Sequence, residues 1–342
     1  MRGKQLLTSL YLVMALSGCN QELDSVDVKA AKISHEELGA FIGNVKGDLV
    51  FVKGGEFLMG DYGAEYGPER LPYDLDKDSK PLHKVELSSF SIGRFKVTNQ
   101  EYQTYLKYNG LKLREVNKGS QKKWKNINSV PNMPAHMDWY EAEKYCTWLA
   151  KVTDLPFYLP TEAQWEYAAR SRGQFLMVAT DDGSYKATNV SFTESDGPRG
   201  INISNSVDRE IFAKQMGWKT GSLTPLPVDR FPPNPLGLYA MSDNGLEWVK
   251  DWYDPEYYKH SPLIDPQGPE KPVFKGPVSN NKYAKVLRGV DYADPRWGGG
   301  VNVQRSYRSP DGYLYSTVNE VDMLIISDKT ARCVVNATEP VN

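Results

Sequence analysis

Apolar and polar positions along the chain change period several times, and the changes mark its elements. Leu49-Val50-Phe51-Val52 is a β-branched and aromatic run with the composition of a strand. A Gly54-Gly55 turn then leads to a second strand at Phe57-Leu58-Met59-Gly60. Val85-Glu86-Leu87 and Phe90-Ser91-Ile92 alternate with strand period. Helical spacing follows: Thr98 and Glu101 stand three apart, as in a capping box, and Tyr102, Tyr105 and Leu106 share a face. Asp138 precedes Trp139, Ala142, Tyr145, Cys146 and Leu149, which form one apolar helical face with Cys146 on it. Residues 159–170 open a third helix, with Thr161 as N-cap and Gln164 as its capping partner. A short helix is expected over residues 34–42, where Ser34 and Glu37 stand in the same relation. Residues 61–81, acidic with Gly and Pro, read as a loop, and residues 171–285 hold few regular patterns. That much irregular chain inside a domain is unusual and needs bound ions or a disulfide to hold it. No fixed-period repeat is visible, which argues against a solenoid or propeller.

The N-terminus has a different pattern. Arg2 and Lys4 precede an apolar stretch over residues 6–16, and Ser17 and Gly18 lead directly to Cys19. This is the three-part layout of a secretory signal, and it falls short of the roughly 20 apolar residues that a spanning helix needs. Small residues before a cysteine resemble the bacterial lipobox, which implies that Cys19 is lipidated and becomes the mature N-terminus. Asn20 in the next position points to the outer membrane, with the chain on its periplasmic side. The alternative is an ordinary signal peptide that ends near a cysteine. Residues 19–47 read as a lipidated tether with a short helix, 48–336 as the folded domain and 337–342 as a tail.

Of the 342 residues, 324 remain once the first 18 are removed, enough for one large domain or two small ones. A net charge of −2 gives no basic bias toward nucleic acid. The 8 Trp and 21 Tyr, set among 28 Gly and 22 Pro, suggest a loop-rich fold with aromatic pockets and argue against a helical bundle.

Several segments together resemble the formylglycine-generating enzyme family, also called sulfatase-modifying factors. They are Gly54-Gly55-Glu56-Phe57-Leu58-Met59-Gly60, Val97-Thr98-Asn99-Gln100-Glu101-Tyr102, residues 142–148, and Leu159-Pro160-Thr161-Glu162-Ala163-Gln164-Trp165-Glu166-Tyr167-Ala168-Ala169-Arg170. Pro233-Asn234, Gly237-Leu238-Tyr239, residues 244–251 and Val286-Leu287-Arg288-Gly289 follow in family order. The resemblance covers residues 48–336 and implies a variant C-type-lectin fold: α+β, low in regular structure and often stapled by calcium.

The resemblance also sets out which chemistry to look for. Copper-dependent members hold Cu(I) with two cysteines after an Arg-Gly-Gly-Ser-type strand, because a soft ion takes a thiolate pair. Here residues 288–297 contain no cysteine, Asp294 falls near the first cysteine position, and the next thiol is Cys333. Copper oxidase chemistry by the family mechanism is therefore not expected. The iron branch needs clustered imidazoles, whereas His35, His83, His136 and His260 show no ligand spacing with one another, so iron is not expected either. His83 falls in the family's Pro-x-His-x-Val strand entry and reads as structural.

Some secreted members bridge the cysteine of the Tyr-Cys-x-Trp helix to one near the C-terminus. Tyr145-Cys146-Thr147-Trp148 and Ala331-Arg332-Cys333 match those positions, which implies a Cys146–Cys333 disulfide; two buried free cysteines are the alternative. The family's calcium site takes oxygen ligands around a Gly-Asn-x-x-Glu-Trp motif. That implies Asp243, Gly245 and Glu247 as ligands here, with Asp243 compensating for Ala240 where the family has Asn or Asp. A second calcium site would begin at Asn189.

Residues 291–315 would line the face where family enzymes bind peptides. Asp291, Tyr292, Asp294, Trp297, Arg305 and Arg308 are the candidate contacts, since aromatic and Arg residues make binding hot spots. The same residue types also fill a loop-rich core, and the family's Arg-Ser-x-x-Arg element is ordinarily structural. Tyr292 and Trp297 are therefore the better surface candidates. The expected function is that of a lipid-anchored, non-catalytic member that binds or scaffolds a periplasmic or secreted protein, in an assembly, regulatory or immunity role. The alternative is a metal-dependent oxidase that modifies a peptide or small molecule.

Overall fold

A computed structural model describes residues 33–116, 118–185, 202–279, 281–292, 301–316, 321–324 and 328–341, with only the backbone of 313–316 and 321–324. The first described element is α1 (His35–Gly47), capped by Ser34 and Glu37 in a reciprocal box. It runs five residues past the 34–42 pattern because Phe41 and Val45, four apart on one face, both bury against the body. The helix thus packs onto the body of the fold.

The first sheet has the order β1 (Leu49–Val52), β4 (Phe90–Gly93), β12 (Val334–Val335) and β5 (Phe157–Tyr158), all antiparallel. Beside it lies a hairpin of β2 (Gly55–Met59) and β3 (His83–Leu87). The 61–81 loop contains one helical turn, α2 (Gly63–Tyr66). The second sheet has the order β11 (Lys329–Thr330), β6 (Leu246–Trp252), β7 (Lys285–Arg288) and β8 (Arg305–Arg308), with β11 parallel to β6. A separate pair, β9 (Tyr313–Ser316) and β10 (Val321–Leu324), is antiparallel. The arrangement is α+β, as expected.

Four further helices carry the same capping box as α1. Thr98, Asp138 and Thr161 cap α3 (Asn99–Tyr108), α5 (Trp139–Thr153) and α6 (Glu162–Ala169), each with its partner three residues on. Asn205 does the same for α7 (Ser206–Gln215), a helix inside the stretch that looked irregular. The short α4 (Gln121–Ile127) has no side-chain cap. One core lies between α1, α3, α5 and the first sheet, where Phe41 meets Trp148 with ring centroids 5.3 Å apart. A second surrounds α6, whose eight residues are all buried between the β2–β3 hairpin and the second sheet.

Candidate functional site

Cys146 on α5 and Cys333, directly before β12, form a disulfide across 187 residues of sequence, with Cα atoms 5.7 Å apart. Both are buried, so neither thiol is available for chemistry.

The buried α6 carries its acidic residues inward. Glu162 accepts Arg288 Nη1 at 2.8 Å and Arg305 Nε at 2.7 Å, while Glu166 accepts Arg288 Nη2 and Arg170 Nη1, each at 2.8 Å. Burial alone would raise the Glu162 carboxyl, but the guanidinium groups of Arg305 and Arg288 outweigh it and hold it below its ordinary value. Arg305 is accordingly a correction to the expected groove. Its side chain is wholly buried, and a second nitrogen reaches the carbonyl of Asp78 at 2.8 Å. It braces the core and offers nothing to a partner.

Arg308, at the other end of β8, is half-buried, and its Nη1 bonds the Tyr307 carbonyl at 2.7 Å. Asp291 and Tyr292 are half-buried at the mouth of the same sheet, where the Asp291 carbonyl accepts the Gly245 N–H at 2.6 Å. The guanidinium of Arg209 lies over the Tyr292 ring, 5.2 Å from its centroid. Asp294, Trp297 and Asn189 lie outside the described residues, as does Cys19. One of the four histidines weighed for iron is wholly enclosed. His136 is 1% exposed, its two ring nitrogens have no hydrogen-bond partner among the described residues, and burial pulls it down to about 3, so it is neutral.

The turn leading into β6 was the expected calcium site. Asn244 and Gly245 both have positive φ, 65° and 113°, and a Cβ on Gly245 would stand 2.5 Å from Thr330 Cγ2, so the position requires glycine. The turn aims the Gly245 carbonyl and the Glu247 carboxylate at one point, and Lys96 Nζ fills that point, 2.8 Å from the carbonyl and 2.7 Å from Glu247 Oε1. Arg332 donates to both oxygens of Glu247 at 2.9 Å, and Trp165 Nε1 donates to Oε2 at 2.9 Å. Burial would raise the Glu247 carboxyl, but Arg332 and Lys96 hold it at about 2. Asp243 is engaged by other partners: Arg209 and Ser204 donate to its two oxygens.

The Sulfatase-modifying factor enzyme 1-like domain model matches residues 38–314, most of the chain. The chain belongs to the sulfatase-modifying factor family. The formylglycine-generating enzyme of Streptomyces coelicolor is 28% identical over 280 residues, covering 71% of this chain and 78% of that one. A 254-residue match at 29% identity, covering 71% of this chain, reaches only 32% of the serine/threonine-protein kinase pkn1 of Chlamydia pneumoniae. The solved structure of PvdO from Pseudomonas aeruginosa matches 84% of this chain and 94% of its own, with a TM-score of 0.54 and 24% identity, a likeness of fold.

Two of the metals known in the sulfatase-modifying factor family do not fit this chain's donors. Residues 288–300 supply no thiolate for Cu(I), and Cys146 and Cys333 are oxidised. The four imidazoles stand apart: His83 bonds the Pro81 carbonyl and packs on Tyr258, His136 is enclosed, and His35 and His260 are exposed. Calcium at Glu247 also fails on geometry. It takes 6–8 oxygens at about 2.3–2.6 Å, whereas the roughly four lone-pair sites of this carboxylate already accept Lys96, Trp165 and two bonds from Arg332. Asp243, Gly245 and Glu247 therefore form no calcium shell here.

Proposed function

We propose that this chain is a non-catalytic member of its family, anchored by a lipid on Cys19 at the periplasmic side of the outer membrane, and that it holds a protein partner. The observation that carries the reading is the Cys146–Cys333 disulfide, which uses up both thiols of the folded domain. A copper oxidase of the formylglycine-generating type needs a free thiolate pair, and the chain has no other cysteine beyond Cys19. What remains for a partner is Asp291 and Tyr292, just past the Arg288 end of β7, with Asp294 and Trp297 adjacent in sequence and Arg308 at the other end of β8. Mixed aromatic and Arg composition of this kind suits a polypeptide. The partner is a periplasmic or secreted protein, and the role is one of assembly, regulation or immunity.

The test joins metal content to cross-linking. The purified domain, residues 20–342, is expected to carry less than a tenth of a copper or iron ion per chain by plasma mass spectrometry. A photo-reactive residue at Tyr292 in the full-length chain, expressed in its own cell, should give one dominant cross-linked protein, and Arg308→Glu should weaken that product. Near-stoichiometric copper or iron would instead favour the oxidase. Cross-linking that is diffuse and insensitive to Arg308 would remove this face from consideration.

A further inference from the structure

A carbonyl and a carboxylate that converge inside a protein form a cation socket, because neither can be left unpaired out of water without a large cost. In this chain the socket is the 245–247 turn, and what fills it is a side chain. Lys96 lies three residues beyond the end of β4 and two before the N-cap of α3, and it is fully buried. We infer that the Lys96 ammonium is the resident cation of this turn, a covalently tethered replacement for a divalent ion, so that the sheet is locked here without calcium.

Three features of the contacts around this one carboxylate support this. The ammonium makes its two short bonds to the atoms that would otherwise be metal ligands, Gly245 O and Glu247 Oε1. The remaining acceptor capacity of Glu247 is filled by Arg332 and Trp165, leaving no room in its coordination sphere. The local charge is also wrong for a further cation, since Lys96 and Arg332 both face this one carboxylate.

The replacement changes how the fold responds to its surroundings. A calcium ion stabilises by mass action, so its contribution varies with free calcium and vanishes in chelator. A tethered amine stays at the site whatever the free calcium concentration. It also ties the lead into α3 directly to β6 and, through Glu247, to the Arg332 that precedes Cys333, three chain segments far apart in sequence.

The experiment uses the disulfide-bonded domain, residues 20–342. Thermal unfolding of the wild type should give the same Tm in excess EDTA and in millimolar calcium. Lys96→Met keeps the length of the side chain and removes the charge, which strands a buried carbonyl and part of a carboxylate. Its Tm should fall by roughly 10 °C, equally in both media. An unchanged Tm in Lys96→Met would overturn the inference. Should that variant fail to fold, calcium titration of the EDTA-treated wild type by calorimetry decides the matter. No binding that depends on Glu247 is expected, and calcium binding that Glu247→Gln abolishes would overturn the assignment.

Discussion

Asp251 shows how much this core depends on single ionisable groups. It lies on β6, 3% exposed, and accepts the Glu162 N–H at 2.9 Å. Burial, reinforced by the facing Glu162 carboxylate, pushes its carboxyl up to about 7. Between its unfolded value near 3.8 and that figure, the folded state holds a proton that the unfolded chain has released. Folding is therefore weakened as pH rises through that window, with a slope of up to about 1.4 kcal/mol per pH unit for one proton. Asp78, pushed up to about 6 chiefly by burial, acts in the same direction. Glu247, held at about 2, acts in the opposite direction, and its contribution is lost only as pH falls from about 4.5 through that value. Urea unfolding should accordingly show stability rising from pH 7 to pH 5, and Asp251→Asn should flatten most of that rise. A wild-type profile already flat over this range would contradict the assignment. None of this could be read from the sequence, where Asp251 closes the 244–251 motif inside a stretch with few regular patterns.

At the scale of the element, α1 is held by few contacts. Phe41 against Trp148 and Val45 in the same core do most of the anchoring, while Lys107–Glu37 at 3.5 Å and Arg94–Asp48 at 3.7 Å are exposed pairs of little worth. Phe41→Ala should release the helix while sparing the rest. Hydrogen exchange of the α1 amides is expected to speed up at least tenfold, with α5 and α6 unchanged; a global increase would mean that α1 is integral to the core. The contrast between α1 and β6 explains what the sequence could reveal. α1, α3 and α6 were legible because a capping box lies within four residues and needs no tertiary partner to be recognised, and α5 because its apolar residues share one helical face. β6 was not legible, because Leu246, Glu247, Trp248, Val249 and Asp251 are all buried and the strand lacks the alternation of a one-sided sheet. Its charged residues look solvent-facing until Lys96, Arg332 and Glu162 are brought to them from other parts of the chain. The site was less legible: family motifs singled out Glu247 as a calcium ligand and Arg305 as a groove contact, but the partners each one meets are decided by long-range packing.

Across the whole molecule, the disulfide is the link that makes so much short and irregular structure hold together. β12 is only two residues long, yet it is the strand between β4 and β5. A strand so short cannot hold its place through ladder bonds alone. Cys333 ties its leading end to α5, and Arg332, one residue earlier, is locked on Glu247 and on the carbonyls of Gly93 and Arg94. The bridge and the buried ion cluster thus fasten the same few residues to both sheets. In the chain-entropy model a loop of this length contributes about 5 kcal/mol, acting through the unfolded chain. The double variant Cys146→Ser, Cys333→Ser should therefore lose most of that amount in urea unfolding. Because Arg332 shares the segment, the loss should appear as one cooperative transition at lower denaturant. An early separate transition, with the 328–341 segment released and digested by protease while the remainder stays folded, would show that the ion cluster does not couple the C-terminal strand to the core. A loss below about 1 kcal/mol would show that Arg332 and β12 hold without the bridge, and the disulfide would then matter for the thiols it removes rather than for the fold.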